Sequence, residues 1–208
     1  MGNNNQNVTL EPIVIINNDN DAHLKYKTPQ QAILLDRDGV IIEEQTNYLR
    51  TEDSITFIPG VLEAIKTVSD RKIPIIVITN QSAVGRNIIS LEQAIFLNKV
   101  IMQQIEDSGG HIDAIYMCYH HPSDNCGCRK PAPKMPLLAK EQMNLDFANS
   151  YFIGDTLNDM KTARAAGLKE VLVLTGHGAN EYESLDGVNK KDYLVTSDLP
   201  QAIKKIFS

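Results

Sequence analysis

The first long apolar run of this chain stops at two carboxylates. In Ile33-Leu34-Leu35-Asp36-Arg37-Asp38-Gly39-Val40 a strand-length apolar stretch ends in Asp36 and Asp38, one residue apart, and a glycine follows. Successive side chains on a strand point to opposite faces, so positions two apart point the same way. Such a strand has to be buried, and it delivers both carboxylates to one side of its end, where the chain turns. Two like charges that close resist ionising unless a cation lies between them. A hard divalent ion such as Mg²⁺, which prefers oxygen ligands, removes the conflict. The pair suits one carboxylate as nucleophile and the other as proton donor and acceptor. Two acidic residues at an ordinary strand-to-loop boundary are the plainer alternative.

From Ala32 onward, apolar runs alternate with helical periodicity. Strands are expected at Ala32–Leu35, Ile75–Thr79, Ile112–Cys118, Tyr151–Ile153, Val171–Leu174 and Tyr193–Thr196. Most are continuous apolar runs, as in a parallel sheet covered on both faces. Helices fall between them. Pro59 opens one that reaches Ser69, proline being suited to a first turn. Ser90 with Gln93 forms a capping box for a helix carrying Leu91, Ala94, Ile95, Leu97, Ile101 and Ile105, closed by Gly109-Gly110. Residues 135–144, 156–166 and 198–207 predict three more. The alternation implies one doubly wound, Rossmann-like α/β domain with a mostly parallel sheet over residues 32–208. Residues 1–31 form a polar, Asn-rich N-terminal extension, mobile at Asn3–Asn7 and Asn17–Asp21. Within it Val8–Ile16 can pair as an extra strand, an assignment weakened by Pro12. The connection over residues 40–58 is too long for a simple link, and long loops in compact domains are usually functional.

The chain has 208 residues and a formal net charge of -6, which argues against nucleic-acid binding by charge alone. No apolar run approaches the roughly 20 residues that span a membrane, and the start lacks the features of a secretory signal. A cytoplasmic monomer acting on a small molecule is expected, with neither a nucleic-acid nor a membrane partner.

Three further motifs fall at strand ends, where open α/β sheets bind ligands. After Ile75–Ile78 comes Thr79-Asn80-Gln81-Ser82, whose hydroxyls and backbone N–H groups suit phosphate oxygens, although Asn and Ser are also ordinary turn residues. After Tyr151–Ile153 comes Gly154-Asp155-Thr156-Leu157-Asn158-Asp159. Asp155 either completes the cation site or caps the next helix, and Asp159, one turn on, orients the site. Arg129-Lys130-Pro131 supplies a bidentate donor and a point charge for a phosphate, unless the two cations are simply solvated. Directly before it, Cys118, His120, Cys126 and Cys128 occur as two ligands one residue apart, five residues, then two more one apart. That spacing closes around a tetrahedral Zn²⁺ with no open position, hence a structural ion. His121 is an alternative to His120, which the alternate spacing favours, and reduced thiols without metal are the alternative to zinc. His177, between two glycines, reads as a loop residue.

Together LDRDGV, TNQS, the Cys-x-His loop running into CRKP, and GDTLND resemble the haloacid dehalogenase (HAD) superfamily. The likeness covers about residues 32–206 and is narrowest to its zinc-loop branch of heptose bisphosphate and histidinol phosphate phosphatases. The resemblance implies a capless core with catalytic Mg²⁺ and structural Zn²⁺. Asp36 would form an aspartyl phosphate, and Asp38 would protonate the leaving alcohol and then deprotonate water. Asp36, the backbone carbonyl of Asp38 and Asp155 would hold Mg²⁺. Thr79 and Lys130 would stabilise the phosphoryl group in transfer. Arg129 would recognise substrate, together with Asn80, Gln81, Ser82 and the loop Glu44, Gln45, Thr46, Asn47 and Tyr48. NYLRTEDSITFIPGV and CRKPAPKM are more similar to the heptose enzymes, which implies removal of the 7-phosphate of D-glycero-D-manno-heptose 1,7-bisphosphate. Histidinol phosphate or another small phosphate ester is the alternative substrate, and a non-catalytic binding module the alternative of another class.

Overall fold

A computed structural model describes residues 10–17, 26–185 and 193–208. Seven strands form one sheet in the order β1-β4-β3-β2-β5-β6-β7. They are β1 (Ile13–Ile16), β2 (Ile33–Leu35), β3 (Ile75–Asn80), β4 (Ala114–Cys118), β5 (Tyr151–Gly154), β6 (Lys169–Val173) and β7 (Leu194–Thr196). All neighbours pair in parallel except β1, which lies antiparallel on the outer edge of β4 with Ile13 opposite Met117. The expected extra strand therefore forms over Ile13–Ile16, just past Pro12, which has no N–H to give a ladder. Val8 and Thr9 of that expectation lie outside the described residues, as do Asn3–Asn7 and residues 18–21. Asn17 is anchored rather than mobile: its backbone N–H donates to Asp113 and its side-chain amide to Glu106.

The helices are α1 (Val61–Asp70), α2 (Ser82–Gly85), α3 (Leu91–Asp107), α4 (Lys134–Met143), α5 (Leu157–Ala166), α6 (Gly178–Ser184) and α7 (Leu199–Ile206). Alternation along the strands sorts the core into two layers. Ile33, Leu35, Ile75, Val77, Ile115, Ile153 and Val171 pack with α1, α3 and α7. Leu34, Ile76, Ile78, Tyr116 and Phe152 pack on the other face with α4 and α5. Burial on both faces is why these strands read as unbroken apolar runs. Among the described residues no inserted domain covers the sheet, and no helix is long and apolar enough to cross a membrane.

Two helix starts differ from expectation. Helix α1 begins at Val61 with Gly60 at its N-cap in the left-handed region (φ 80°), so Pro59 precedes the helix instead of opening it. At α3 only half of the capping box forms. Ser90 accepts from Gln93 N–H, while the Gln93 side chain donates to the Arg50 carbonyl. That bond ties the helix to the connection over residues 40–58. This connection holds no regular element beyond a 3₁₀ turn at Glu52–Ser54, yet Val40, Ile41, Ile42, Leu49 and Ile58 are buried and fasten it to the core.

Candidate active site and metal sites

From β2 the chain proceeds to β3 and β4 on one side and returns to β5 on the other, so the strand order reverses between β2 and β5. Ligands of open α/β sheets bind at such a switch point, beyond the carboxyl ends. Asp36 follows β2, and its N–H extends the ladder to Ile153 of β5. Asp155 follows β5. Both line a cavity of about 220 Å³ that also meets Arg37, Asp38, Lys130 and Asn158.

Asp36 Oδ1 accepts from the Arg37 N–H at 2.7 Å and lies 2.8 Å from Lys130 Nζ. Among the described residues its other oxygen accepts nothing. Lys130 also lies 2.6 Å from Asp159 Oδ1, and both side chains are buried. Burial works against the Lys130 ammonium, but Asp159 and Asp36 outweigh it and hold the group charged, its pKa above the usual lysine value. Burial pushes the Asp36 carboxyl well up. Lys130 opposes this, and Asp159, Asp155 and Asp38 add to it. Burial likewise raises Asp155 to about 7, against the hydrogen bond it accepts from the His177 N–H at 2.8 Å. Oxygens of Asp36, Asp155 and Asp159 lie within 4.8 Å of one another. Three carboxyls so close, with Asp36 and Asp155 resisting charge, are a fit for a hard cation that would relieve the conflict.

Thr156, not Asp155, caps α5. Its hydroxyl accepts from the Asp159 N–H, and Asp159 Oδ2 accepts from Thr156 in return. The capping role is thus filled by a reciprocal pair, and Asp155 is left facing the cavity. Two glycines make room for it. A Cβ on Gly39 (φ 79°) or Gly176 (φ 55°) would run into the Asp155 carboxylate.

The remaining residues marked from sequence divide into two groups. Glu44, Gln45, Tyr48, Asn80, Gln81 and Ser82 line the cavity; Thr46 and Asn47 are exposed beyond it. Burial, then the nearby Asp38 charge, raises Glu44 above an ordinary glutamate. Thr79 is buried with its hydroxyl accepting from Gln81. Asn80 spends its amide on the Lys130 backbone, accepting from the N–H at 3.1 Å and donating to the carbonyl at 3.3 Å. Arg129 does not line the cavity; it donates to the His120 carbonyl at 2.8 Å. His177, read as a bland loop residue, lines the mouth with Nε2 3.8 Å from Glu44. Its only sequence signal was the glycine on either side, just past a strand.

Cys118, His120, Cys126 and Cys128 converge at one point. The sulfur–sulfur separations from Cys126 are 3.6 Å to Cys118 and 3.5 Å to Cys128, far beyond a disulfide bond. His120 Nδ1 lies 3.6 Å from Cys118 Sγ and 3.3 Å from Cys128 Sγ. A tetrahedral ion with ordinary thiolate and imidazole bond lengths has edges of about 3.8 Å between sulfurs and about 3.6 Å from sulfur to nitrogen. The four side chains therefore already stand near the corners of such a site. Hydrogen bonding from Cys128 holds the Cys118 thiol down at about 5, as a ready thiolate. His121 stays outside. It caps the 3₁₀ turn Pro122–Asp124, its Nδ1 accepting from the Ser123 N–H. Gly85 of α2 packs so closely on the His121 backbone that a Cβ there would collide with it.

Among curated proteins, the chain is 37% identical over 183 residues to D-glycero-beta-D-manno-heptose-1,7-bisphosphate 7-phosphatase of Yersinia pestis, covering 83% of this chain and 95% of that protein. The chain belongs to the haloacid dehalogenase-like phosphatases. The enzyme of the same name from Escherichia coli K12 is also 37% identical, over 84% of this chain and 94% of its own length. The HAD-hydrolase-like family model matches residues 127–202. The crystal structure of D,D-heptose 1,7-bisphosphate phosphatase from B. bronchiseptica, complexed with magnesium and phosphate, superposes with a TM-score of 0.79 at 29% identity. It covers 86% of this chain and 98% of that one. The corresponding enzyme from Burkholderia thailandensis gives 0.65 at 26% identity, over 86% and 99%. The chain is accordingly a phosphatase, with a seven-stranded α/β fold of the HAD type.

Proposed function

We propose that the protein is a magnesium-dependent phosphomonoesterase that removes the 7-phosphate of D-glycero-D-manno-heptose 1,7-bisphosphate through an aspartyl phosphate on Asp36. One observation carries the chemistry: Asp36 is held by one oxygen, between the Arg37 N–H and Lys130, while its other oxygen accepts nothing among the described residues. That oxygen is the nucleophile. It forms a bond to phosphorus as the bond to the sugar oxygen breaks, and Asp38 gives that oxygen its proton. Asp38 then takes a proton from the water that attacks the aspartyl phosphate, releasing phosphate and restoring Asp36. Lys130, kept charged by its two carboxylates, lines the cavity where charge would build on the phosphoryl oxygens, and the reading assigns the Thr79 hydroxyl to the same stabilisation.

Mg²⁺ fits Asp36, Asp155 and the backbone carbonyl of Asp38, with Asp159 beside them, and would neutralise the phosphoryl and carboxylate charge. Zn²⁺ fits Cys118, His120 Nδ1, Cys126 and Cys128, where no position remains for substrate, so its role is structural. The substrate assignment is supported by the names of the relatives. Recognition by Glu44–Tyr48, Asn80, Gln81, Ser82 and Arg129 belongs to the same reading, as do a monomeric cytoplasmic enzyme without nucleic-acid or membrane partners and a catalytic unit over residues 32–208. Phosphate release from the 1β,7- and 1α,7-bisphosphates and from histidinol phosphate, with Mg²⁺, tests it. Preference for a heptose anomer is expected, and Asp36→Asn should abolish turnover with zinc retained. Preference for histidinol phosphate, whose cationic groups Glu44 would suit, would replace the substrate; activity surviving in Asp36→Asn would overturn the mechanism.

A further inference from the structure

Asn98 sits in the middle of α3, fully buried on the face that carries Ala94, Leu97 and Ile101. A buried amide on an apolar helix face is costly unless its polar atoms are paired. Its Nδ2 donates to the Ala94 carbonyl at 2.8 Å, which fixes the orientation of the amide. Its Oδ1 then accepts from Arg37 Nη1 at 3.1 Å. Arg37 is itself 2% exposed. It grips Asp38 with two parallel bonds, Nε to Oδ2 at 3.1 Å and Nη2 to Oδ1 at 2.8 Å. Nη2 also reaches Gln81 Oε1 at 3.0 Å, and Gln81 Nε2 returns to Asp38 Oδ2 at 2.9 Å. Asp38 therefore stands in a closed frame of Arg37 and Gln81, and the frame is pinned to the helix layer by Asn98.

We propose that Asn98 is a positioning residue for this phosphatase, which acts through Arg37 to aim the Asp38 carboxyl at the leaving oxygen. The proposal rests on the reading of Asp38 as general acid and base. Fork-to-fork pairing fixes a carboxylate in both direction and plane, and proton transfer in the transition state depends on that geometry. Without Asn98, one edge of the guanidinium has lost its anchor and the fork can swing, taking Asp38 with it. Asn98 touches neither cavity nor substrate, so its effect has to appear only where the proton of Asp38 is needed.

That condition sets the test. The ratio kcat/KM reports steps up to departure of the leaving group. A sugar alkoxide needs a proton to leave; p-nitrophenolate does not. Asn98→Leu should lower kcat/KM for the heptose bisphosphate on the order of 10- to 100-fold. It should change kcat/KM for p-nitrophenyl phosphate little, with zinc content and circular dichroism unaltered. Asn98→Asp, which keeps an oxygen facing Arg37 Nη1, should recover most of the loss. Asn98→Ala, which removes the same oxygen without adding bulk, should show the same selective loss and serves if Asn98→Leu does not fold. Equal loss on both substrates in Asn98→Leu and Asn98→Ala would overturn the proposal, because a general structural defect does not distinguish leaving groups. Asp38→Asn separates the underlying reading. If that variant still hydrolyses the sugar phosphate, Asp38 is not the acid and the reading itself fails.

Discussion

Asp159 turns one carboxylate oxygen to Thr156 and the other to Lys130. The first closes the cap of α5, and the second lies 2.6 Å from a buried ammonium. One side chain thus fixes where a helix begins and where the Lys130 ammonium sits. Asp159→Ala removes both. It leaves Lys130 paired with Asp36 but without its shorter carboxylate partner, and breaking a buried pair from one side costs about 3–5 kcal/mol. Loss of the capping contact adds about 0.5–2 kcal/mol. Urea denaturation should show a loss in that combined range, together with a large fall in kcat. Asp159→Asn keeps an oxygen for the Thr156 N–H and should recover the cap share alone. Equal stability of the two variants would mean that the capping contact contributes nothing, and a loss in Asp159→Ala no larger than the cap share would mean the same of the Lys130 pair.

The strands were readable because burial on both faces leaves unbroken apolar runs such as Ile75–Ile78, and their ends pointed to Asp36 and Asp155. The helices α2 and α6 were not, since four and seven residues carry too little periodicity to register. Pro59 was misplaced because a left-handed Gly60 can cap a helix as well as a proline can open one. The frame around Asp38 was invisible for a different reason. Arg37 and Asn98 meet across 61 residues of chain, and nothing local in α3 says that a lone Asn in its apolar stripe has a guanidinium to satisfy. Arg129 illustrates the converse. Its charge suggested a phosphate, but nothing in the sequence showed that the guanidinium donates to the carbonyl of His120.

The metal loop runs straight into Arg129 and Lys130, so its order and the position of Lys130 are linked. Freshly purified protein should contain one zinc per chain by elemental analysis. Cys126→Ser, which alters the half-buried corner of the site, should lose it. If only ~3 kcal/mol of the binding energy appears as folding stability, Tm falls by roughly 6–12 °C in a chain of this size. Activity should fall as well, because α2 packs on the His121 backbone through Gly85 and carries Ser82 at its start. Full Tm and activity in a zinc-free variant would show that the loop holds its shape without the ion.

At the opposite end of the sheet from the active site, Asp113 holds the start of β3. Its Oδ2 accepts from the Ile75 N–H at 2.8 Å and its Oδ1 from the Tyr26 hydroxyl at 3.1 Å. His111 Nε2 lies 3.9 Å away and Glu106 sits beyond that ring. Burial raises the Asp113 carboxyl above its usual 3.8, and the hydrogen bonds and His111 offset this only in part. The folded state therefore keeps the proton to higher pH than the unfolded chain does. Between those two values the native state binds more protons, so stability falls as pH rises, and the cost is complete above the folded value. Asp113→Asn leaves one donor without its acceptor, a loss that is the same at every pH. Urea unfolding of both proteins from about pH 4 to about pH 7 isolates the ionisation. The stability of the natural chain relative to Asp113→Asn should decline across that range. A difference that stays flat would mean the hydrogen bonds from Ile75 and Tyr26 fully compensate the burial, and one that rises would mean the carboxylate is favoured there.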